Sequence, residues 1–230
     1  LSELLPTGGG QNSVDFVATG TLSSGQAVIL KADGTVGVIS GSAAGFGSPA
    51  LFSSFSNGSG THISTTYDST NNKIVIVYAD TFSQGRAVVG TVSGTSISFG
   101  TPVLFNSVGN SLYNSATYDS TNEKIVIAYR DGGNSNQGTA IVGTVSGTSI
   151  SFGTAVVFES ATTAYISATY DATNGKIVIA YQDLGNSNYG TAIVGTVSGT
   201  TISFGTAAVF NSGNTNTNIS AVYDSTNNKI

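Results

Sequence analysis

Three loops of this chain carry the side chains best suited to hold a polar ligand. Each loop starts with an aspartate, at Asp80, Asp131 and Asp183. The second and third loops add amides and one aromatic ring, namely Asn134, Asn136, Asn186, Asn188 and Tyr189. Carboxylates and amides bind pairs of sugar hydroxyls, and an aromatic ring covers the apolar face of a sugar. These residues are therefore our candidates for a carbohydrate-binding site.

The same residue types also have a purely structural explanation. Asp and Asn are common in turns because their side chains cap their own backbone. The Asp-Ser-Thr-Asn turns, of which the first begins at Asp68, carry too few carboxylates for an established calcium loop. The chain contains no cysteine, which excludes disulfides and thiolate metal sites. We expect neither a metal nor a cofactor.

Catalytic residues find little support in the sequence. His62 is the only histidine, and no nucleophile motif surrounds it, so we interpret it as a loop residue or a satisfied polar residue. Asp80, Asp131 and Asp183 could pair for glycoside hydrolysis, but they occupy the same place in each copy of a repeat. We expect no enzyme and no catalytic residue, and we keep a glycan-acting propeller enzyme as an alternative.

The loops belong to a repeat. A phrase Tyr-Asp-Ser/Ala-Thr-Asn begins at Tyr67, Tyr118, Tyr170 and Tyr223, and a phrase Gly-Thr-Val-Ser-Gly-Thr recurs between these copies. Self-similarity with a period of about 50 residues marks a repeat architecture, in which one unit cannot bury its own apolar faces. We expect the four tyrosines to pack between neighbouring units.

Each repeat resolves into four strands. In the first complete copy they are A (63–67), B (74–78), C (86–92) and D (97–105), rich in β-branched and aromatic residues and separated by turn formers. Strand B is apolar without interruption, as in 125–129, which predicts that both of its faces are covered. The sequence thus favours an all-β fold, a β-propeller of four-stranded antiparallel blades. A stacked β-solenoid is the alternative.

The ends of the chain suggest how the blades are arranged. Residues 1–12 are interpreted as a linker or the end of a preceding domain. Residues 13–230 form about four blades, namely 13–52 plus 219–230, 62–105, 113–158 and 165–210. The N-terminal copy lacks strand A, whereas the C-terminal copy has only strand A, at 219–223. We therefore expect the two ends to share a blade and close the ring, because closure removes exposed sheet edges.

Variation between the copies marks one end of the blades. The B–C loops and the D–A connections differ from copy to copy, while the A–B and C–D turns are nearly constant. Because strand direction alternates, both variable sets emerge at the same end. Loops on a rigid scaffold usually carry binding specificity, so we expect the ligand there. Random drift in tolerant loops is the alternative.

Composition restricts the partners. Only 8% of residues are charged and the net charge is −5, which argues against nucleic acid, since phosphates need clustered Lys and Arg. No apolar run approaches the roughly 20 residues of a membrane span, so we expect no membrane insertion. Such a composition fits a virion or extracellular protein, and oligomerisation is left open.

Two phrases resemble a known group of proteins. Residues 118–129 and 138–154 resemble repeats in virion structural proteins of marine bacteriophages, of the cyanophage type, and residues 16–36 resemble the module that precedes those repeats. The resemblance implies a tail-fibre or other appendage role, with a cell-surface glycan or host receptor and other virion proteins as partners. It transfers no catalytic residue. A purely structural spacer is the alternative function.

Overall fold

The structure is a computed structural model that describes residues 28–30, 35–38, 48–52, 62–215 and 218–230. All regular secondary structure in these residues is β-strand, and every ladder is antiparallel, which confirms the all-β class. The chain divides into two compact units, Leu1–Gly47 and Ser48–Ile230. None of the described residues forms a helix long and apolar enough to cross a membrane.

The first unit contains a short hairpin. Strand β1 (Val28–Leu30) pairs with β2 (Val36–Val38), so that Val28 lies opposite Val38. Most of residues 13–52, which the sequence analysis assigned to the first blade, lie outside the described residues.

The second unit contains three successive repeats, each with strands A, B and C and a strand D that is divided into two segments. The first comprises β3 (Ser64–Asp68), β4 (Lys73–Ala79), β5 (Gly85–Ser93), β6 (Ser96–Phe99) and β7 (Val103–Asn106). The second comprises β8 (Ser111–Asp119), β9 (Lys124–Asp131), β10 (Gln137–Ser146), β11 (Ser149–Phe152) and the first part of β12 (Val156–Asp171). The third comprises the rest of β12, β13 (Lys176–Asp183), β14 (Tyr189–Ser198), β15 (Thr201–Phe204) and β16 (Ala208–Asn211).

The strands follow the predicted A–B–C–D order with one correction. The single D strand expected at 97–105 is wrong, because D is split into two segments that pair with the same strand C. At the break, the Gly100 N–H donates to the Val89 carbonyl at 2.9 Å. The chain steps out of the ladder there, and the step makes room for the neighbouring repeat.

The core lies between successive sheets. Strand β9 turns Ile125, Ile127 and Tyr129 toward the first repeat and Val126 and Ala128 toward the third. These five residues have between 0% and 1% of their surface exposed, so strand B is covered on both faces as predicted. Each large apolar side chain buried in this way contributes about 1.5–3 kcal/mol to folding. The middle sheet therefore depends on both of its neighbours.

Hydrogen bonds tie each A strand to the next one. The Ala116 N–H donates to Ser64 Oγ at 3.0 Å, and the Ala168 N–H donates to Ser115 Oγ at 2.9 Å. The Tyr118 hydroxyl also donates to Thr70 of the preceding repeat, at 2.7 Å. Tyr170 makes the same bond one repeat later. The predicted packing between repeats is confirmed for Tyr118 and Tyr170, whereas Tyr67 is half exposed and bonds to Asn72 of its own turn.

Aromatic rings and glycines complete each junction between repeats. Phe105 packs its ring against Tyr129 and Phe152 of the following repeat, with centroids 5.2 and 5.8 Å away. A Cβ added at Gly100 would lie 1.9 Å from the Thr148 carbonyl oxygen of the following repeat. Only glycine allows the two backbones to approach this closely. The next junction repeats both features with Phe158 and Gly153.

The described residues do not form a closed ring. Phe210 is 57% exposed, whereas its counterparts Phe105 and Phe158 are 9% and 7% exposed. Residues 218–230 lie against the third repeat, where the Ala221 N–H donates to Ser167 Oγ at 3.0 Å. The strand expected at 219–223 is wrong: these residues are not in a strand, since no strand of the described residues lies alongside to pair with them. An isolated bridge joins Asp224 to Lys229 just after them.

The sharing of a blade between the two ends of the chain remains a prediction. Its N-terminal partner strands lie largely outside the described residues, so their pairing with residues 219–223 is not tested.

Candidate functional site

The variable loops meet at one end of the sheets. Each D–A connection crosses the B–C loop of its own repeat: the Thr163 N–H donates to the Asn136 carbonyl at 3.1 Å, and the Thr215 N–H donates to the Asn188 carbonyl at 2.9 Å. The Leu184 N–H of the next loop donates to the Thr162 carbonyl at 3.0 Å. We call this surface the loop face; it comprises residues 80–84, 106–110, 131–136, 159–162, 183–188 and 211–215. The prediction that both loop sets share one end is confirmed.

The three predicted aspartates stabilise their own loops. Asp131 Oδ1 accepts from the Gly133 N–H at 3.0 Å and from Asn106 Nδ2 at 3.1 Å. Asp183 Oδ1 accepts from the N–H groups that follow it, at Gly185 and Asn186. These carboxylates act as turn caps, which is the structural role considered above. They shape the loop face, and their capping oxygens are already engaged.

Asp80 has an additional charged partner. Its Oδ2 lies 2.6 Å from Arg86 Nε, in a partly buried ion pair, and its Oδ1 accepts from the Phe82 and Gln84 N–H groups. Burial alone would raise the pKa of Asp80, but the Arg86 hydrogen bond and the two backbone N–H groups hold it below its usual value. Asp80 is therefore ionised and paired.

Asp183 has a different electrostatic environment from its two counterparts. Burial raises the pKa of Asp183 above its ordinary value, and the Glu159 carboxylate raises it further. Glu159 occupies the position that Asn106 holds one repeat earlier, and its Oε2 accepts from the Tyr181 hydroxyl at 3.1 Å. The second junction therefore places two carboxylates where the first places a carboxylate and an amide.

The predicted loop amides are available to a ligand. Asn136 and Asn188 take left-handed backbone angles, with φ of 62° and 61°, a conformation that asparagine tolerates well. The side chains of Asn134, Asn136 and Asn186 are exposed, and Asn188 and Tyr189 are half-buried. Within the described part of the chain, none of these four amides makes a side-chain hydrogen bond. They lie on two separate loops of the loop face.

The structure adds an aromatic group that the sequence analysis missed. His62, Tyr113 and Tyr165 take equivalent positions where each A strand begins, with left-handed φ angles of 74°, 53° and 51°. We call these three residues the aromatic ladder. Their ring centroids lie 4.4 Å (His62–Tyr113) and 5.2 Å (Tyr113–Tyr165) apart. Asn218 takes the fourth equivalent position in the sequence.

A β-bulge produces the ladder. The A–B register shifts between Leu112 and Ser115, and again between Ala164 and Ser167. Such a bulge inserts an extra residue and redirects its side chain. The aligned Tyr-X-Ser start of strand A was the signal that could have identified the ladder tyrosines.

A cavity of about 360 Å³ lies against the ladder. Its lining consists of His62, Tyr113, Asn114, Tyr165, Ile166, Asn218 and Ile219. The buried Asn114 is fixed there, because its Oδ1 accepts from Ser111 Oγ at 2.7 Å and its Nδ2 donates to the His62 carbonyl at 3.3 Å. The cavity thus combines apolar walls with oriented polar groups, as small-ligand sites do.

One cation lies beside the ladder. The Arg130 guanidinium is centred 4.9 Å from the Tyr113 ring centroid, a cation–π distance. Burial, and then the charge of Arg130, lower the pKa of His62, so its imidazole is neutral at pH 7. Among the described residues, no group of three or more His, Cys, Asp or Glu side chains is placed to hold a metal ion.

Comparisons with protein-family models and with curated proteins found no match for this chain.

Proposed function

We propose that this protein is a non-enzymatic binding module of a phage virion appendage, and that its loop face attaches to a cell-surface glycan. The supporting observation is the loop face itself, where backbone hydrogen bonds hold neighbouring loops together. Among the described residues, the side chains of Asn134, Asn136, Asn186 and Asn188 make no hydrogen bond. The aromatic ladder adds rings, of which Tyr165 lies two residues beyond Thr163, whose N–H donates to the Asn136 carbonyl. A rigid surface with free amides and aromatic rings is suited to sugars.

We also propose that the sheets are blades of a β-propeller. Each repeat is a four-stranded antiparallel sheet, and each covers a face of the next. Strand β12 passes directly from strand D of one repeat to strand A of the following one. This order of strands is the one expected of successive propeller blades.

Ring closure through a blade shared by residues 13–52 and 219–230 is a separate proposal. In a closed ring a further blade would cover the exposed Phe210. Deleting residues 218–230 should then lower the melting temperature sharply. An unchanged melt would indicate an open array, or closure by another chain.

Individual sugar sites on this face should be weak, with dissociation constants on the order of millimolar. Several repeats in one chain, and several chains in one appendage, would raise the overall affinity through effective concentration, without new contacts. Multivalent display is thus part of the proposal, and binding assays should present the glycan at high density.

A glycan array tests the loop face directly. The test variant combines Asn186→Ala, Asn188→Gly and Tyr189→Ala; glycine is chosen at 188 because its φ of 61° would strain alanine. A matched control, Ser120→Ala, alters an exposed turn of the constant A–B set. We expect the triple variant to lose glycan binding while the control retains it, with both melting within a few degrees of the wild type. Loss of binding in the control alone would place the site at the opposite end.

A structural spacer is the second candidate function. It is favoured by the use of Asp80, Asp131 and Asp183 as caps and by the extensive hydrogen bonding between repeats. Absence of binding at millimolar sugar would support the spacer. Hydrolysis of an array sugar would instead contradict the non-enzymatic proposal.

The assignment to a virion is supported by the sequence resemblance alone. Mass spectrometry of purified virions would test it, with the chain expected among the structural proteins. Its presence only in infected-cell lysate, outside the particles, would contradict the assignment.

A further inference from the structure

The geometry points to a subsite for an acidic sugar at the aromatic ladder, where the cavity holds a pyranose ring and Arg130 binds its carboxylate. This inference rests on the proposed function and narrows its ligand to saccharides with a carboxylated ring.

The residues of the aromatic ladder have a left-handed backbone conformation that is strained for bulky side chains. A bulky residue with a positive φ is uncommon, and such residues are often found at functional sites. Three successive repeats hold an aromatic ring in this conformation, at His62, Tyr113 and Tyr165. The main core does not include these rings, since the two buried clusters are built from the sheet faces and only Tyr113 packs at an edge of one of them. The bulge therefore presents the rings at the cavity.

The cavity has the size and lining of a sugar site. Its volume of about 360 Å³ lies in the range of small-ligand pockets, about 300–1,000 Å³. The rings of Tyr113 and Tyr165, with Ile166 and Ile219, offer apolar surface for the C–H face of a pyranose. Polar atoms of Asn114 and Asn218 lie on the same walls and can bond to hydroxyls.

Two buried polar atoms at the ladder have unused hydrogen-bonding capacity: one belongs to His62, which lines the cavity, and the other to Arg130, which contacts the Tyr113 ring. Within the described residues, His62 Nδ1 and Arg130 Nε have no hydrogen-bond partner. Buried polar groups are normally paired, so such atoms are reasonable contacts for a ligand. A neutral His62 offers a hydrogen bond without adding charge.

Arg130 makes the subsite selective for an acid. No carboxylate of the described residues lies within ion-pair distance of Arg130, whereas Arg86 is paired with Asp80. The neighbouring Asp131 directs Oδ1 to Gly133 and Asn106. In a chain with a net charge of −5, a guanidinium that contacts an aromatic ring and has no carboxylate partner among the described residues is unusual. A guanidinium binds a carboxylate through two parallel hydrogen bonds.

The other repeats provide natural comparisons for this position. Ala79 and Gln182 occupy the place of Arg130 in the repeats before and after it. Gln182 is buried within its sheet, so glutamine is compatible with this strand position. The charge is specific to the middle repeat, where the ladder has an aromatic ring on both sides.

The test is a calorimetric titration with trigalacturonate and with its neutral counterpart, a galactose trisaccharide. We expect trigalacturonate to bind at least about tenfold more tightly to the wild type. Arg130→Gln should remove this preference while neutral binding persists. Tyr165→Gly should weaken binding of both sugars, with residual binding at the loop face, because glycine keeps the left-handed backbone and removes only the ring. Lys176→Gln removes a positive charge elsewhere and should leave the preference intact.

Chemical-shift mapping on the wild-type protein locates the bound sugar without any substitution that could alter the fold. Trigalacturonate should shift the methyl signals of Ile166 and Ile219 more than the amide signals of residues 184–189. An acid preference that survives Arg130→Gln, or shifts confined to residues 184–189, would overturn the subsite and leave glycan binding at the loop face standing. Failure of acidic and neutral sugars alike to bind would overturn the subsite and the proposed function together.

Discussion

Gly153→Ala tests the close packing of successive repeats. A Cβ at this position would lie 1.9 Å from the Thr200 carbonyl oxygen, whereas ordinary contacts begin at 3.4 Å. The Gly153 N–H also donates to the Val142 carbonyl at 2.9 Å, so the glycine cannot move away without weakening that bond. The backbone angles of Gly153 are compatible with alanine, and the effect is therefore steric.

The size of the effect follows from this geometry. To accept the methyl group, the two sheets must separate locally by about 1.5 Å, and a gap of this size forfeits a large part of the dispersion attraction across it. Overpacking of this kind costs about 1–3 kcal/mol, and the rigid backbone partner favours the upper end. In a chain of this length, that loss lowers the melting temperature by about 6–12 °C.

Thermal unfolding followed by far-UV circular dichroism measures this loss, and Gly205→Ala is the matched control. Gly205 occupies the same position in the last complete repeat, where the nearest atom to an added Cβ is the Val194 carbonyl oxygen at 3.8 Å. The control should melt within about 2 °C of the wild type, since Gly→Ala at a compatible site is neutral or slightly stabilising. A Gly153→Ala variant that melts like the wild type would refute the close approach. A control as unstable as Gly153→Ala would indicate that a further blade covers this face, as in a closed ring.

Three further predictions concern side chains at the junctions and loops. Tyr118→Phe removes the hydroxyl bond to Thr70 of the preceding repeat and should lower the free energy of unfolding in urea by about 1 kcal/mol. Tyr67 is half exposed, so Tyr67→Phe should lower it much less. Equal losses in the two variants would contradict the role of the junction. Glu159→Asn should raise the melting temperature at pH 7, because it removes the charge beside Asp183. Since the folded pKa of Asp183 is raised, wild-type stability should fall as pH rises from about 4 through that pKa, and the variant should show a smaller fall in a series of melts. Asn136 has a left-handed φ of 62°, so Asn136→Ala should lower the free energy of unfolding in urea by about 1 kcal/mol, whereas Asn136→Gly should leave it nearly unchanged. If the backbone at Asn136 were not left-handed, the glycine variant would be the less stable of the two.

Much of the fold was predictable because the same sequence pattern recurs in successive repeats. The uninterrupted apolar run at 125–129 indicated a strand buried on both faces. Side chains of this strand belong to both buried clusters, one on each face. Alternating strand direction was sufficient to place the B–C loops and D–A connections at one end. These features depend only on local pattern and chain order.

Other features depend on contacts that no local pattern reports. The break at Gly100 follows from the neighbouring turn at Thr148, and a strand at 219–223 needs a partner strand beside it. The bulge at Tyr113 adds one residue without disturbing the apolar alternation on either side. Of the candidate amides, Asn134, Asn136 and Asn186 are exposed and Asn188 is half-buried, and their role in binding remains a prediction. Whether an aspartate such as Asp131 caps its loop or faces solvent depends on backbone N–H directions that the sequence does not specify.

The equivalence of the two junctions has a consequence for the length of the molecule. Each junction uses residues from the repeated phrases, with the same pairing of serine to backbone, tyrosine to threonine and phenylalanine to two rings. Inserting or removing one whole repeat would therefore create no junction of a new kind. Stability in such arrays is approximately the sum of unit and nearest-neighbour terms. Unequal recombination between near-identical copies could thus lengthen or shorten the array in steps of one repeat, with every new junction of a kind already present.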